Sequence, residues 1–465
     1  MDPSALLLSR IQFAFTVSFH IIFPSFTIGL AAWLAVLEGA HLVTGRPVYR
    51  RLFDFWLKVF GIAFGMGVVS GIVMAFEFGT NWSRLSEATG PIQGPLLVYE
   101  TFTAFALEAA FFGVVIVGRP RVPPIVYFFA TLMVSLGTTL SAFWIMVNNS
   151  WMQAPVGYAV EHGVYVPTDW TAIIFSPVVW VRFPHMLIAA YLTGAFCVAA
   201  TGAWYRLRNT YALEAKTMLG MGLFLASVLV PVQLLFGHLN GDYVHDRQPA
   251  KFAAIEARWH DEQPASEVLL AIPDQTAETN HFALSIPYLG SLIATMRFNS
   301  KEVGLTDFAP ADRPPVAIPF FAFRIMVGCG LLMLMIAWLG AGAILAGKLE
   351  RNRRLLWAVF LSFPLPFIAT LTGWFTAEVG RQPWAVYGLL RTADAVTPTL
   401  SSGEALVSLI VFSTIYALIF GFGILYIYRL LAAGPAGAPA GHPTNAKRPL
   451  AVTRMAPTPH AEKLP

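Results

Sequence analysis

Seven ionisable residues of this chain stand within, or at the end of, long apolar runs: His20, Glu100, Glu108, Arg182, His185, Arg324 and Glu378. Charge in hydrocarbon is costly, so such residues commonly mark ion paths or cofactor sites. His185 lies about seven residues below the outer end of one run, with sidedness assigned below, and Met326 about seven below that of another. At ~1.5 Å per residue both sit roughly 10 Å deep. A histidine and a methionine at matched depth on two helices could hold one iron from both faces. That pair fills both axial positions and raises the potential, which suits electron transfer rather than oxygen binding. The plainer roles, ordinary packing for Met326 and a hydrogen-bonded core histidine for His185, are the commoner ones on spacing alone.

His20 lies about nine residues into the first run, and Glu378 closes the eighth. A lone histidine facing a bundle could be the fifth ligand of a haem whose sixth position stays open; a structural histidine bonded to a nearby Ser or Thr is the alternative. Glu378 could equally be an interfacial carboxylate paired with Arg381. Arg182 and Arg324 lie three and two residues from His185 and Met326. Haem carries propionates, which a guanidinium can bind through two parallel hydrogen bonds; snorkelling to headgroups is the rival. Glu100 and Glu108 flank Ala104 on the third run, roughly one helical face. Two carboxylates along a membrane helix with no basic residue of its own look like a proton relay, although partners on other helices stay open.

Nine apolar runs of spanning length must position these groups, at about 11–41, 53–80, 95–118, 122–148, 178–204, 217–238, 319–347, 355–377 and 405–428. Basic residues cluster on one side, in the loops holding Arg46, Arg50 and Arg51; Arg119 and Arg121; Arg206, Arg208 and Lys216; and Lys348, Arg351, Arg353 and Arg354. The positive-inside rule makes that side cytoplasmic, with the N-terminus outside and the C-terminus inside. The first run is too long for a signal peptide and is expected to stay in place. The expected organisation is helices one to six in 1–238, a large extracytoplasmic loop in 239–318, helices seven to nine in 319–431 and a disordered cytoplasmic tail in 432–465. The loop holds eleven acids against six Lys plus Arg, and a loop of that length is more often functional than a tether.

Composition excludes the soluble classes. Of 465 residues, 12% are charged, about half the ~25% usual in soluble domains. A net charge of +4, evenly spread, argues against nucleic acid. The two cysteines, Cys197 and Cys329, offer no disulfide framework and no C-x-x-C-H for covalent haem. The expected fold is an all-α integral membrane protein of nine transmembrane helices with one large extracytoplasmic loop.

The residues above sit in strings that resemble subunit I of the cytochrome bd quinol oxidases. They are LSRIQFAFTVSFH ending at His20, FGTNW at 78–82, YETFTAFALEAAF with Glu100 and Glu108, and VRFPH ending at His185. KFAAIEARW at 251–259, FFAFRIMVGCG with Arg324 and Met326, and GWFTAEVGRQPW with Glu378 follow in the family's order. The resemblance runs from about Leu8 to Tyr428. It implies that His185 and Met326 are the axial pair of a low-spin haem b (b558 type). It implies that His20 and Glu378 serve the two remaining haems, a high-spin haem b (b595 type) and an oxygen-binding haem d, without saying which holds which. Lys251 and Glu256 match loop positions implicated in quinol oxidation, Glu100 and Glu108 match carboxylates on a proton path, and Trp374 and Arg381 match positions near the distal haems. The loop is short after IPDQTAETNHFALSIPYLGSLIAT, which resembles the subclass that includes the cyanide-insensitive oxidases. In that subclass a b-type haem in place of haem d is the alternative third cofactor.

The implied reaction oxidises ubiquinol or menaquinol at the outer face and reduces oxygen to water with cytoplasmic protons, building a potential without pumping, in a bacterial inner membrane. In it Glu256 is a general base and Lys251 stabilises developing negative charge. Glu108, roughly 20 Å from the outer end of its helix, carries protons toward the distal ligands. A second membrane subunit, with a small single-helix subunit as a further partner, is implied too. Two rival classes are a membrane cytochrome b that only relays electrons, with every haem six-coordinate, and a proton-coupled transporter using Glu100 and Glu108, with no haem.

Overall fold

A computed structural model describes residues 3–435; the expected tail lies outside the described residues from 436 onward. Among the described residues nine helical segments are long and apolar enough to cross a membrane, as the runs require. They are α1 (Pro3–Thr44), α2 (Pro47–Thr80), α3 (Ser83–Glu100) continued by α4 (Ala106–Val117), α5 (Pro124–Gln153), α6 (Trp170–Ile174) leading into α7 (Pro177–Leu207), and α8 (Ala212–Arg247). After the long segment that follows α8 come α11 (Ala317–Leu345), α12 (Arg353–Leu361) continued by α13 (Leu365–Val379), and α15 (Ser402–Ala433). Between them lie the short helices α9 (Pro249–Ile255), α10 (Leu289–Thr295) and α14 (Thr392–Ala395). The strands form three separate antiparallel pairs, β1 (Tyr158–Glu161) with β2 (Val164–Pro167), β3 (Glu267–Asp274) with β4 (Thr279–Ile286), and β5 (Trp384–Val386) with β6 (Leu390–Arg391).

Several helices start earlier than expected, α1 at Pro3 among them, and three further differences bear on the site. The third span begins at Ser83 rather than near 95, and Pro91 and Pro95 lie inside it. Polar residues and two prolines make that stretch read as a loop, but membrane helices tolerate proline where neighbours re-satisfy the freed backbone groups. The eighth span is broken between α12 and α13, where Pro364 cannot continue the ladder. The sixth runs on past 238 to Arg247, carrying its last turns into the expected loop segment.

The helix α1 is the hub, packing on α2, α5, α7 and α15. It meets α7 at a pair of glycines: a Cβ at Gly29 would lie 2.3 Å from Ala190 O, and one at Gly194 would lie 2.8 Å from the Gly29 carbonyl carbon. Only the hydrogen side chain allows that approach. A second group of helices closes into a ring: α7 packs on α8, α8 on α11, α11 on α13 and α13 on α7. Among the described residues neither diagonal pair, α7 with α11 or α8 with α13, packs closely. The ring therefore surrounds an interior that backbone does not fill.

Candidate functional site

His185 belongs to α7 and Met326 to α11, the two helices that face each other across that ring. The walls between them are pared back where the two side chains stand. A Cβ at Gly237 of α8 would lie 3.3 Å from His185 Cε1, and one at Gly373 of α13 would lie 3.0 Å from Met326 Sδ. His185 Nδ1 is buried without a hydrogen-bond partner, while Nε2 lies 3.3 Å from Gln233 Nε2. An imidazole and a thioether, both side chains able to bind iron, stand on opposed helices, each beside a glycine of a flanking helix, an arrangement that fits a flat cofactor inserted between them.

His20 sits where α1 meets α2. Its Nδ1 lies 2.9 Å from Ser70 Oγ, and the Ser70 hydroxyl donates to the carbonyls of Met66 and Gly67 at 3.0 and 2.9 Å. With that hydroxyl proton committed, Nδ1–H must be the donor, which leaves Nε2 unprotonated and able to bind iron. Phe19, Phe23, Phe420 and Tyr416 stack beside it between α1 and α15.

Glu378 stands near the C-terminal end of α13, one turn beyond Trp374 on the same face. Its Oε2 pairs with Arg381 at 2.5 Å, and its Oε1 accepts from Asn149 and Gln153, both at 3.1 Å. Asn149 in turn accepts from Arg182 at 2.6 Å, whose other amino group donates to Ser150. A carboxylate has about four lone-pair sites, so one remains for a metal. Arg381 Nε and Nη1 are buried and unpartnered. Two orphan guanidinium donors beside Glu378 fit an acidic group of a bound cofactor, such as a propionate.

Glu100 and Glu108 both face α5. Ser141 of α5 donates to Glu100 Oε1 at 2.7 Å, and a Cβ at Gly137, one turn away, would lie 2.5 Å from Glu108 Cγ. Eight residues of ideal α-helix would leave the two carboxyls about 80° apart. The π-turn at Thr101–Phe105 takes up one residue between them. The pair then behaves like positions seven apart, within about 20° of one face. The π-turn is what makes a shared lane of the two carboxylates.

The segment between α8 and α11 sends its two candidate residues to different places rather than one. Lys251 and Glu256 leave α9 about 140° apart, five residues at 100° each. Glu256 pairs with Arg324 at 2.8 Å, and Arg324 also reaches Glu267 at 3.3 Å and the carbonyls of Ile255 and Val268. Arg324 thus anchors the segment between α8 and α11 to α11, with one Nη1–H left for a further acceptor. A cleft of about 460 Å³ opens beside Glu256, lined also by Arg258, Trp259, His260, Glu262 and Asn280. Lys251 turns the other way, 4% exposed, and donates to Gln153 Oε1 at 3.1 Å. Burial pushes the Lys251 ammonium down to about 7, with Arg182 adding repulsion and Glu378 opposing it.

Gln153, Asn149, Gln248 and Glu267 do not stand out in the sequence. The amides carry no charge whose burial would draw attention, and Glu267 matters only because β3 sets it beside Arg324. Burial, followed by the charge of Glu256, pushes Glu267 up to about 8 against the pull of Arg324. The folded segment therefore holds a proton that the unfolded chain releases above about 4.5, so its stability should fall as pH rises from about 4.5 through 8. Protease cleavage of this segment should accelerate over that window, and Glu267→Gln should flatten the dependence. An equally steep dependence in Glu267→Gln assigns it to other groups.

Comparison with known proteins gives a consistent result. The family model described as Cytochrome bd terminal oxidase subunit I matches residues 8–435. The chain is 35% identical to cytochrome bd ubiquinol oxidase subunit 1 of Bacillus subtilis (strain 168), covering 93% of this chain and 94% of that one. It is 33% identical to cytochrome bd-II ubiquinol oxidase subunit 1 of Escherichia coli (strain K12), covering 94% and 98%. Its structure superposes on that of the bd oxidase from Geobacillus thermodenitrificans with a TM-score of 0.87 at 27% identity, covering 93% of this chain and 99% of that one.

Proposed function

Because the chain belongs to the cytochrome bd terminal oxidase subunit I family, we propose that it is the haem-bearing subunit of a terminal quinol oxidase in a bacterial inner membrane, paired with a second membrane subunit. The observation that carries this reading is the helix ring with His185 and Met326 on opposed members and a glycine beside each. Haem bound there and at His20 and Glu378 supplies the electron transfer and oxygen reduction. The protein's residues supply positions and protons. His185 and Met326 hold a low-spin haem b, while His20 and Glu378 hold a high-spin haem b and a haem d or a b-type haem in its place. Arg381 neutralises a propionate with its free donors.

Ubiquinol or menaquinol occupies the outer cleft, where Glu256 takes a hydroxyl proton and passes it to the outer solvent. Arg324 holds Glu256 in place. Glu100 and Glu108 bring protons from the cytoplasmic side to the distal site, so uptake and release on opposite faces generate a potential without pumping. The N-terminus lies outside, a reading supported by the basic residues of the loops on the opposite side.

The reduced-minus-oxidised absorption spectrum of the purified complex tests the reading. A low-spin b band together with a high-spin haem that binds carbon monoxide is expected. Bands of six-coordinate haem alone would favour an electron relay, and no haem would favour a transporter. Glu256→Gln tests the cleft, since it removes the base while keeping size and the contact with Arg324. Quinol oxidation should fall by roughly 10²-fold or more, while oxygen consumption driven by an artificial donor that bypasses the cleft persists. Equal loss with both donors would make Glu256 a structural residue.

A further inference from the structure

Gln153, the last residue of α5, is 3% exposed, and every hydrogen-bonding position of its carboxamide is filled. Its Nε2 donates to Glu378 Oε1 at 3.1 Å and to the Ala377 carbonyl at 3.3 Å. Its Oε1 accepts from Lys251 Nζ at 3.1 Å and from Gln248 Nε2 at 3.3 Å. The amide orientation is set by charge: reversed, it would turn N–H groups on the ammonium and the carbonyl on the carboxylate. Gln248 adds a bond to the Gln153 backbone carbonyl at 2.7 Å. One uncharged side chain therefore joins α9 of the outer segment to the end of α13, with a lysine on one side and a carboxylate on the other.

The far side of the bridge is built for it. A Cβ at Gly380 would lie 3.1 Å from Lys251 Cγ and 3.2 Å from its Cε. Gly380 thus clears the lane along which the buried lysine reaches Gln153. Lys251 faces away from the cleft that Glu256 lines, so its contact with Gln153 is its link to the rest of the site.

We infer that Gln153 is a positioning residue that couples the quinol loop to the haem-ligating carboxylate. It transmits the placement of Lys251 and α9 to Glu378 and, by linkage, the state of the Glu378 site back to the loop. Hydrogen bonds to charged partners are the strong ones, so displacement of Lys251 pulls on the Glu378 carboxylate through a single stiff amide. The inference rests on the reading of Glu378 as a haem ligand and of the loop as the quinol site.

The test uses the intact complex with its second subunit. The haem held by Glu378 is identified by the absorption bands that Glu378→Gln removes, and a short-chain quinone analogue is then titrated into wild type, Gln153→Met and Lys251→Met. Wild type should show an analogue-dependent shift of those bands. Both variants should lose the shift with haem content intact, and the apparent KM for quinol should rise by a larger factor than kcat falls. The double variant should add no further loss, because both changes cut one bridge. A shift of wild-type size in Gln153→Met overturns the coupling. Should Gln153→Met fail to assemble, a retained shift in Lys251→Met overturns it equally, since that variant leaves α5 and α13 untouched. A haem-loaded, quinol-oxidising wild type that shows no shift refutes the coupling alone. A wild type with no band that depends on Glu378 refutes the underlying functional reading and the coupling with it.

Discussion

Met326→Leu should abolish the low-spin haem spectrum while leaving the protein assembled. Leucine and methionine differ little in volume, and such swaps in a packed interior usually cost less than about 1.5 kcal/mol. Leucine has no sulfur lone pair, so the position facing His185 across the helix ring loses the ligand proposed for it. A haem left with His185 alone becomes high-spin or dissociates. Because a thioether ligand raises the potential, electron flow from quinol to oxygen should collapse with the band. Gly373→Ala provides a graded companion. Its new Cβ would stand 3.0 Å from Met326 Sδ, which requires the sulfur to move. It should therefore shift the low-spin band rather than erase it. An unchanged low-spin spectrum in Met326→Leu excludes this residue as a ligand.

The spans were legible in the sequence because hydrocarbon imposes one rule on every residue it touches, and nine apolar runs obey it. Where that rule is indifferent, sequence reading missed. The stretch 83–94 carries serine, arginine, glutamate and Pro91 and reads as a loop, yet it forms the first turns of α3. The π-turn at Thr101–Phe105 has no local signature, because it depends on how α4 must rotate to pack on α5. The proposed relay owes its single lane to that turn.

The site divides in the same way. Residues that carry charge or bind metals stand out because burying them is expensive, and His20, Glu100, Glu108, His185, Arg324 and Glu378 could all be named from that cost alone. Gln153, Asn149 and Gln248 bury no charge, and only the fold shows that they join Glu378 to Lys251 and Arg182. Lys251 and Glu256 look like one pair of tools in the sequence. The pitch of α9 separates them, sending Glu256 to the cleft and Lys251 to the bundle. Helical pitch could have given that much in advance; the identity of the residue waiting for Lys251 could not.

Glu108→Ala should stop turnover after the haems are reduced. Glu108 and Glu100 lie on one face toward α5, with Ser141 bonded to Glu100 and Gly137 leaving room for Glu108. Glu108 is 5% exposed and has no ion-pair partner among the described residues. Alanine removes one of the two carboxyls of the proposed lane, and losing a positioned proton carrier costs about 10²–10⁴-fold in rate. Haem content and reduction by quinol should be preserved, while steady-state oxygen consumption and potential generation fall together. Glu108→Asp keeps the carboxyl on a shorter stem and should retain part of the activity. Glu108→Gln keeps the shape without a proton to give, and should resemble alanine. If Glu108 only packs against α5, the order reverses: glutamine is tolerated, and alanine costs assembly and haem content together. Full oxidase activity in a well-assembled Glu108→Ala complex would remove this lane as the proton route, leaving delivery to the second subunit.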